Sequence, residues 1–334
     1  MTLDSPTVVS RPTRVPPAAK LALEFDPERL LADLTRLSEH RWNKQRSYAE
    51  DGTVTEAEVD WRCLPLRSVG GNPERTDPGG PGLEEFHDTE RLAKAPYLAE
   101  VLGRIPAELR AARLLALGPG AESWVHNDTK YGPAWGTARL HAPIITTPGA
   151  KLFMEGTLHR WQPGSLWFGD FSRMHKVENT DNVRRVHLVV DTLVSAELME
   201  LFPADYLEVL DDDEVLINRR PIALTSAELD HHRVRFPLPA SFTSWEEVDG
   251  EFLRPQQQLD ATIDVYDSRL VLGAGDKQLF TLIHIGGGEF RFAGWTDERT
   301  VQISRTGDTA TVTLRSKCGT TVRELVIQAQ PLED

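Results

Sequence analysis

Two imidazoles and one carboxylate are the side chains of this sequence best suited to hold a divalent metal. His126 and Asp128 stand one residue apart in SWVHNDTK, and His175, in FSRMHKVEN, follows 47 positions after Asp128. On a strand, residues i and i+2 project to the same side, so His126 and Asp128 could share one ion. Two histidines and a carboxylate make a facial set with open coordination positions, the arrangement of non-haem iron(II) oxygenases. A His-x-Asp tripeptide also arises by chance, commonly as a surface or capping pair. Zinc is the rival metal, although hydrolytic zinc sites need a separate base and the chain has no His-Glu-x-x-His motif.

Ligands this far apart need a scaffold that folds back on itself. Between residues 113 and 194, seven short apolar runs (RLLALGP, ESWVHND, TARLHAPIITT, KLFMEG, LHRWQPG, SLWFGD, RRVHLVVDTLV) are separated by turn residues. That density predicts a mainly β sandwich or jelly-roll barrel, not an alternating strand and helix pattern. Upstream, Asp26-Pro27 reads as a helix start, with Leu30, Leu31, Leu34 and Leu37 on one face. A second helix is predicted over residues 97–109. The Gly- and Pro-rich stretch from Gly70 to Gly82 predicts a surface loop, open to being mobile. Downstream, SAELMELFPADYLEVL reads as helical turns and the acidic run from Asp211 to Glu214 as a boundary. From Leu259 alternating runs predict a small antiparallel sheet, with hairpin turns at Ala274-Gly275-Asp276 and Thr306-Gly307-Asp308. The expected organisation is a flexible leader (1–20), a catalytic domain (21–210) and a β-rich C-terminal domain (215–334).

The run RRVHLVVD, just past His175, strengthens the metal reading. Alternation puts Val186, Leu188 and Val190 on one face and Arg185, His187 and Val189 on the other. Arg185 can therefore enter the barrel, where a buried guanidinium requires an acidic partner, ideally one held bidentately. An outward Arg185, or one paired with an internal acid, is the alternative. Arg67 and Trp61 are candidates for a substrate's carboxylate and apolar body, with surface Arg and core Trp as their plain readings.

Composition narrows the partners. Of 334 residues, 51 are acidic and 37 basic, a formal net charge of −14, which argues against a nucleic-acid or anionic-membrane surface. Hydrophobic residues at 40% and charged residues at 26% suit a globular chain. Cys63 and Cys318 lie too far apart for a CxxC motif, so a reducing cytoplasm is expected, and no apolar run approaches the roughly 18 residues of a membrane span.

The ordered motifs RLLALGPG, HND, RLHAPI, PGSLWF, MHKVEN and RRVHLVVD, with weaker similarity in FDPERLLADL, Trp42 and LPLRSVGG, give a chain that resembles the aspartyl/asparaginyl β-hydroxylase family, including bacterial proline hydroxylases. The resemblance spans roughly residues 25 to 205. It implies a double-stranded β-helix (jelly-roll, cupin-like) and Fe(II) held by His126, Asp128 and His175. It further implies 2-oxoglutarate as cosubstrate with O2, its distal carboxylate gripped by Arg185 and Arg139 and His141 nearby, with an orienting role for these two as the alternative. Hydroxylation of an amino acid, free or as Asp or Asn in a peptide, is the activity implied. Halogenation is disfavoured because Asp128 is retained. Desaturation or cyclisation, and a non-catalytic cupin-like binding protein, stay open. The stretch TKYGPAWGT after Asp128 is either a lid or a passive insertion. The resemblance does not reach residues 206–334; they could contact a carrier, a peptide or another subunit of a homo-oligomer, or simply shield the barrel edge.

Overall fold

The computed structural model describes residues 15–48 and 54–332. The strands of the first half are β1 (Ala18–Glu24), β2 (Asn43–Lys44), β3 (Arg46–Tyr48), β4 (Val54–Glu56), β5 (Trp61–Val69), β6 (Phe86–Asp88), β7 (Leu109–Leu117), β8 (Thr137–Ile145), β9 (Ala150–Met154), β10 (Thr157–His159), β11 (Ser165–Gly169), β12 (His175–Asn179) and β13 (Arg185–Leu193). The large sheet runs β1-β11-β8-β13-β7-β5-β2, with β6 added to β5, and a small sheet runs β10-β9-β12. Residues 122–126 line the free edge of β12 through two isolated bridges, Glu122 with Glu178 and His126 with His175. The two sheets face each other as a jelly roll, a double-stranded β-helix.

Alternation divides the large sheet cleanly. Ala112, Leu114 and Ala116 of β7, Leu140 and Ala142 of β8, and Val186, Leu188 and Val190 of β13 form the outer core. The helices α1 (Pro27–Arg36) and α2 (Pro96–Gly103) cover it with Leu30, Leu34, Leu98 and Val101. Asp26 caps α1, accepting from the N–H groups of Glu28 and Arg29 at 2.9 and 3.2 Å, and Pro27 occupies the first turn. Ala95 cannot cap α2 with a side chain. Asp33, buried on α1, does so instead, accepting from Tyr97 N and Leu98 N at 2.7 and 2.9 Å. Leu31, expected on the buried face of α1, is 46% exposed. The second helix stops at Gly103 and leaves Leu109 to open β7.

The leader expected over 1–20 is shortened by β1, which starts at Ala18 and pairs with β11; residues 1–14 lie outside the described residues.

The C-terminal half holds β14 (Val234–Pro239), β15 (Gln258–Tyr266), β16 (Arg269–Ala274), β17 (Lys277–His284), β18 (Glu289–Phe292), β19 (Arg299–Thr306), β20 (Thr309–Cys318) and β21 (Thr321–Pro331). These make a closed barrel rather than an open sheet, because β14 pairs with both β15 and β21. Both expected hairpin turns fall between paired strands, β16 with β17 and β19 with β20.

The segment 289–300 is buried throughout and forms the contact with the first barrel. Arg291 donates to both carboxylate oxygens of Glu108 at 2.6 and 2.7 Å, and Lys130 donates to Glu298 at 2.9 Å with both side chains inaccessible. The 70–82 loop is held rather than loose: Gly82 N donates to Ala293 O and Thr281 N donates to Gly82 O. Glycine is needed where they meet, since a Cβ on Gly294 (φ +74°) would lie 2.6 Å from Gly80 O. Among the described residues no helix is long and apolar enough to cross a membrane.

Glu289 ties Arg219, in the segment between the barrels, to Thr300 and Lys317 of the second barrel. Burial opposes its charge, yet hydrogen bonds from Arg219, Thr300 and Lys317 hold its carboxyl down at about 2 from the usual 4.5. A depressed carboxylate stabilises the fold above its unfolded value, and that contribution is lost as pH falls through the folded value. Glu289→Gln is therefore expected to cost about 2–3 kcal/mol at pH 7. The gap to wild type in urea titrations should narrow between about pH 5 and 2; a gap independent of pH would contradict the ion-pair account.

Candidate metal centre and cosubstrate pocket

His126, Asp128 and His175 meet as the sequence spacing suggested, with one ligand atom from each lying within 4.8 Å of the others. They do not meet through a regular strand. His126 exchanges backbone hydrogen bonds with His175 at 3.0 and 2.7 Å, the chain then leaves the sheet, and Asp128 N donates to Phe171 O at 2.8 Å. His126 Nδ1 lies 2.9 Å from Trp124 O, and His175 Nδ1 lies 2.9 Å from Arg173 O. Each Nδ1–H thus has a carbonyl acceptor, leaving both Nε2 lone pairs for a metal. His126 Nε2 is 3.8 Å from Asp128 Oδ1. Burial, the largest influence, lowers the His175 pKa despite the nearby Asp128 carboxylate, keeping the imidazole in its ligating neutral form. The ligands are flanked by exposed apolar side chains: Trp124 and Val125 beside His126, and Met174 beside His175.

The inner face of the large sheet is unusually rich in charge. Asp191 of β13 is fully buried and accepts from Arg113 of β7 at 2.9 Å and from Arg139 Nε of β8 at 2.6 Å. Arg139 Nη1 also donates to Asp128 Oδ2. Burial works against the Arg139 charge, but Asp191 and Asp128 hold its pKa above the ordinary value. Asp191 is kept ionised, with burial outweighed by the same two arginines. Arg139 therefore stands behind the candidate metal ligand Asp128, with its guanidinium committed to two carboxylates. Arg139→Lys is expected to weaken Fe(II) binding about 10- to 100-fold, because one ammonium cannot bridge both acids. A metal titration checks this; a variant that instead shifts only the 2-oxoglutarate requirement would return Arg139 to the cosubstrate.

Arg185 is different. It is 6% exposed, and among the described residues no carboxylate pairs with it. Its guanidinium lies against His187, with Nε 3.0 Å from Nε2 and Nη2 2.9 Å from Nδ1. A neutral imidazole has one lone-pair nitrogen, so only one of these contacts is a real acceptance. Burial alone pushes the Arg185 pKa down to about 10. His187 and His141 are driven well below the usual imidazole range, by burial first and by Arg185 next. His141 stacks on Phe171 at 5.0 Å, and its Nε2 has no hydrogen-bond partner among the described residues.

The sequence model of the aspartyl/asparaginyl β-hydroxylase family matches residues 24–194, just over half of the chain. The chain belongs to this family. As an aspartyl/asparaginyl β-hydroxylase family member it is a 2-oxoglutarate-dependent oxygenase that uses Fe(II) and O2. No curated protein matches its sequence. Among solved structures, it is similar to a 2-oxoglutarate/Fe(II) oxygenase-family oxidoreductase from Burkholderia pseudomallei, at 12% identity over 50% of this chain and 79% of that one, TM-score 0.35. It is also similar to a prolyl-4-hydroxylase from Pseudomonas putida, at 14% identity over 53% and 92%, TM-score 0.33.

The residues of this family member fit the required groups. Two imidazoles and a carboxylate suit Fe(II). Arg185, which has no acid partner among the described residues, suits a carboxylate of the dianionic cosubstrate, and the unpartnered His141 Nε2 offers a further hydrogen bond on the same face.

The other candidates fare unequally. Arg67 is consumed within its own domain, donating to Leu109 O, Asp88 Oδ1 and Phe86 O at 3.1, 2.8 and 2.6 Å. Trp61 packs with Cys63, Leu115 and Val189 on the inner face. The TKYGPAWGT stretch is wedged between the barrels by Lys130 and by Gly319 N, which donates to Ala134 O at 2.7 Å.

Proposed function

We propose that this enzyme hydroxylates an amino acid, free or as a residue within a peptide, with Fe(II) held by His126, Asp128 and His175 and the distal carboxylate of 2-oxoglutarate held by Arg185. One observation carries the reading: a buried guanidinium with no acid of its own shares a barrel with a complete two-histidine, one-carboxylate set. The bound iron and cosubstrate supply the oxidant, and the overall change converts C–H, O2 and 2-oxoglutarate into C–OH, succinate and carbon dioxide. The protein's part is orientation and exclusion of side reactions. Arg139 fixes Asp128, the Trp124 and Arg173 carbonyls fix the imidazoles, and Arg185 fixes one end of the cosubstrate.

The test is Fe(II)-dependent succinate release across free amino acids and short Asp-, Asn- or Pro-containing peptides, with product masses measured. Acceleration by one of these together with a gain of one oxygen is the expected result. Succinate release that none of them accelerates refutes the substrate assignment, and a product lighter by two hydrogens moves the outcome to desaturation or cyclisation.

A further inference from the structure

Arg110, on β7, is 2% exposed, and Nε, Nη1 and Nη2 all lack a hydrogen-bond partner among the described residues. Three rings surround it: Trp295 of the second barrel at 5.0 Å from Cζ, Phe86 at 5.5 Å and Tyr131 at 5.9 Å. Aromatic faces offset only part of the cost of desolvating a cation. Asp191, an acid within electrostatic reach, has both oxygens engaged by Arg113 and Arg139. Beside this orphaned cation is an orphaned hydroxyl, since Tyr131 OH is buried and also unpartnered. Arg139 also neighbours the Tyr131 ring, 4.1 Å from its centroid, and donates to the candidate metal ligand Asp128. One ring therefore touches both the unpaired guanidinium and the group that orients the metal's carboxylate.

We propose that Arg110 and the Tyr131 hydroxyl receive a free carboxylate of the substrate at the junction of the two barrels, where the C-terminal barrel contributes Trp295. The proposal rests on the oxygenase reading of the neighbouring centre. A guanidinium offers paired N–H donors and a phenol a third, the donor set a carboxylate accepts most strongly. Arg113 and Arg139 are engaged by Asp191 and Asp128, which leaves Arg110 and Arg185 as inward guanidinium groups with no hydrogen-bonded acid among the described residues, although the chain as a whole is acidic. The substrate class that follows is an amino acid with a free α-carboxylate, or a peptide presenting its C-terminus. A mid-chain residue without a carboxylate leaves Arg110 unanswered.

Two measurements test this on the full chain. With Fe(II) and 2-oxoglutarate, succinate release is followed for free amino acids and for the same compounds as carboxamides. The acid should be favoured at least about 100-fold over its amide; Arg110→Met should raise the substrate KM about 30-fold or more, Tyr131→Phe less, and Arg110→Lys should recover part of the loss. The 2-oxoglutarate KM should move far less than the substrate KM in each variant. Independently of turnover, thermal shifts with L-proline, L-aspartate and acetate, measured with 2-oxoglutarate already saturating so that Arg185 is occupied, should stabilise wild type and not Arg110→Met. Equal use of acid and amide, an Arg110→Met effect confined to 2-oxoglutarate, or carboxylates that stabilise both proteins alike or neither would overturn the proposal. Loss of all iron-dependent succinate release with carboxylate binding intact would instead count against the oxygenase reading alone.

Discussion

Asp128→Ala is expected to reduce substrate-driven succinate formation to background, a loss of at least about 100-fold, because removal of even an outer partner of a metal ligand costs about 10- to 100-fold. The carboxylate is one of the three proposed protein ligands, and its Oδ2 is the anchor for Arg139. The fold should survive. Arg139 keeps Asp191 through Nε and Nη2, and Asp128 itself is partly solvent-exposed, so no buried charge is stranded by the change. The expected signature is a near-native melting temperature, weakened Fe(II) affinity in a direct titration and no succinate. Wild-type turnover in the variant would remove Asp128 from the ligand set. Unfolding would mean that the Arg113–Asp191–Arg139–Asp128 chain is a structural core element before it is a metal support.

Much of this centre was legible from residue types because alternation is a strong signal. The run RRVHLVVD assigns Val186, Leu188 and Val190 to one face and Arg185 and His187 to the other, and the hydrophobic core and the buried pocket divide them the same way. RLHAPI behaves alike, with Leu140 and Ala142 outward and Arg139 and His141 inward.

What stayed hidden depends on long-range pairing. The commitment of Arg139 to Asp191 joins positions 52 residues apart across adjacent strands, which no local pattern reports. β1, β5 and β14 give weak local signals for distinct reasons. AAKLALE in β1 is short and carries two charges, Pro65 in β5 sits at a register shift, and Pro237 and Pro239 in β14 argue locally against a strand. Closure of the second barrel hinges on β14, so an open sheet was the natural expectation. Arg110 was invisible for a related reason. Simple alternation along RAARLLAL groups it with Ala112 on the outer face, but the register with β13 shifts between Ala112 and Leu109, and the side chain meets the inner ring of Tyr131. Irregularities of this kind, and the interface with a second domain, hold the information that spacing cannot.

Arg185→Leu should separate stability from affinity by moving them in opposite directions. In the free enzyme the guanidinium is buried without an acid, and burial holds its pKa down at about 10. A base with a depressed folded pKa destabilises the fold wherever it is charged in both states, here throughout the range below about pH 10, and the penalty fades as pH rises beyond that value. Replacing it with leucine, which fills similar space beside His187 without a charge, is expected to leave the metal-free protein as stable as wild type or up to about 3 kcal/mol more stable at pH 7. Cosubstrate binding should suffer instead. Losing one side of a buried, hydrogen-bonded charge pair costs about 2–5 kcal/mol, roughly a 30-fold to several-thousand-fold rise in the 2-oxoglutarate KM. The stabilisation that added 2-oxoglutarate gives the wild type in thermal melts should disappear. An Arg185 whose role is only structural predicts the reverse pattern, a lower melting temperature with an unchanged 2-oxoglutarate requirement.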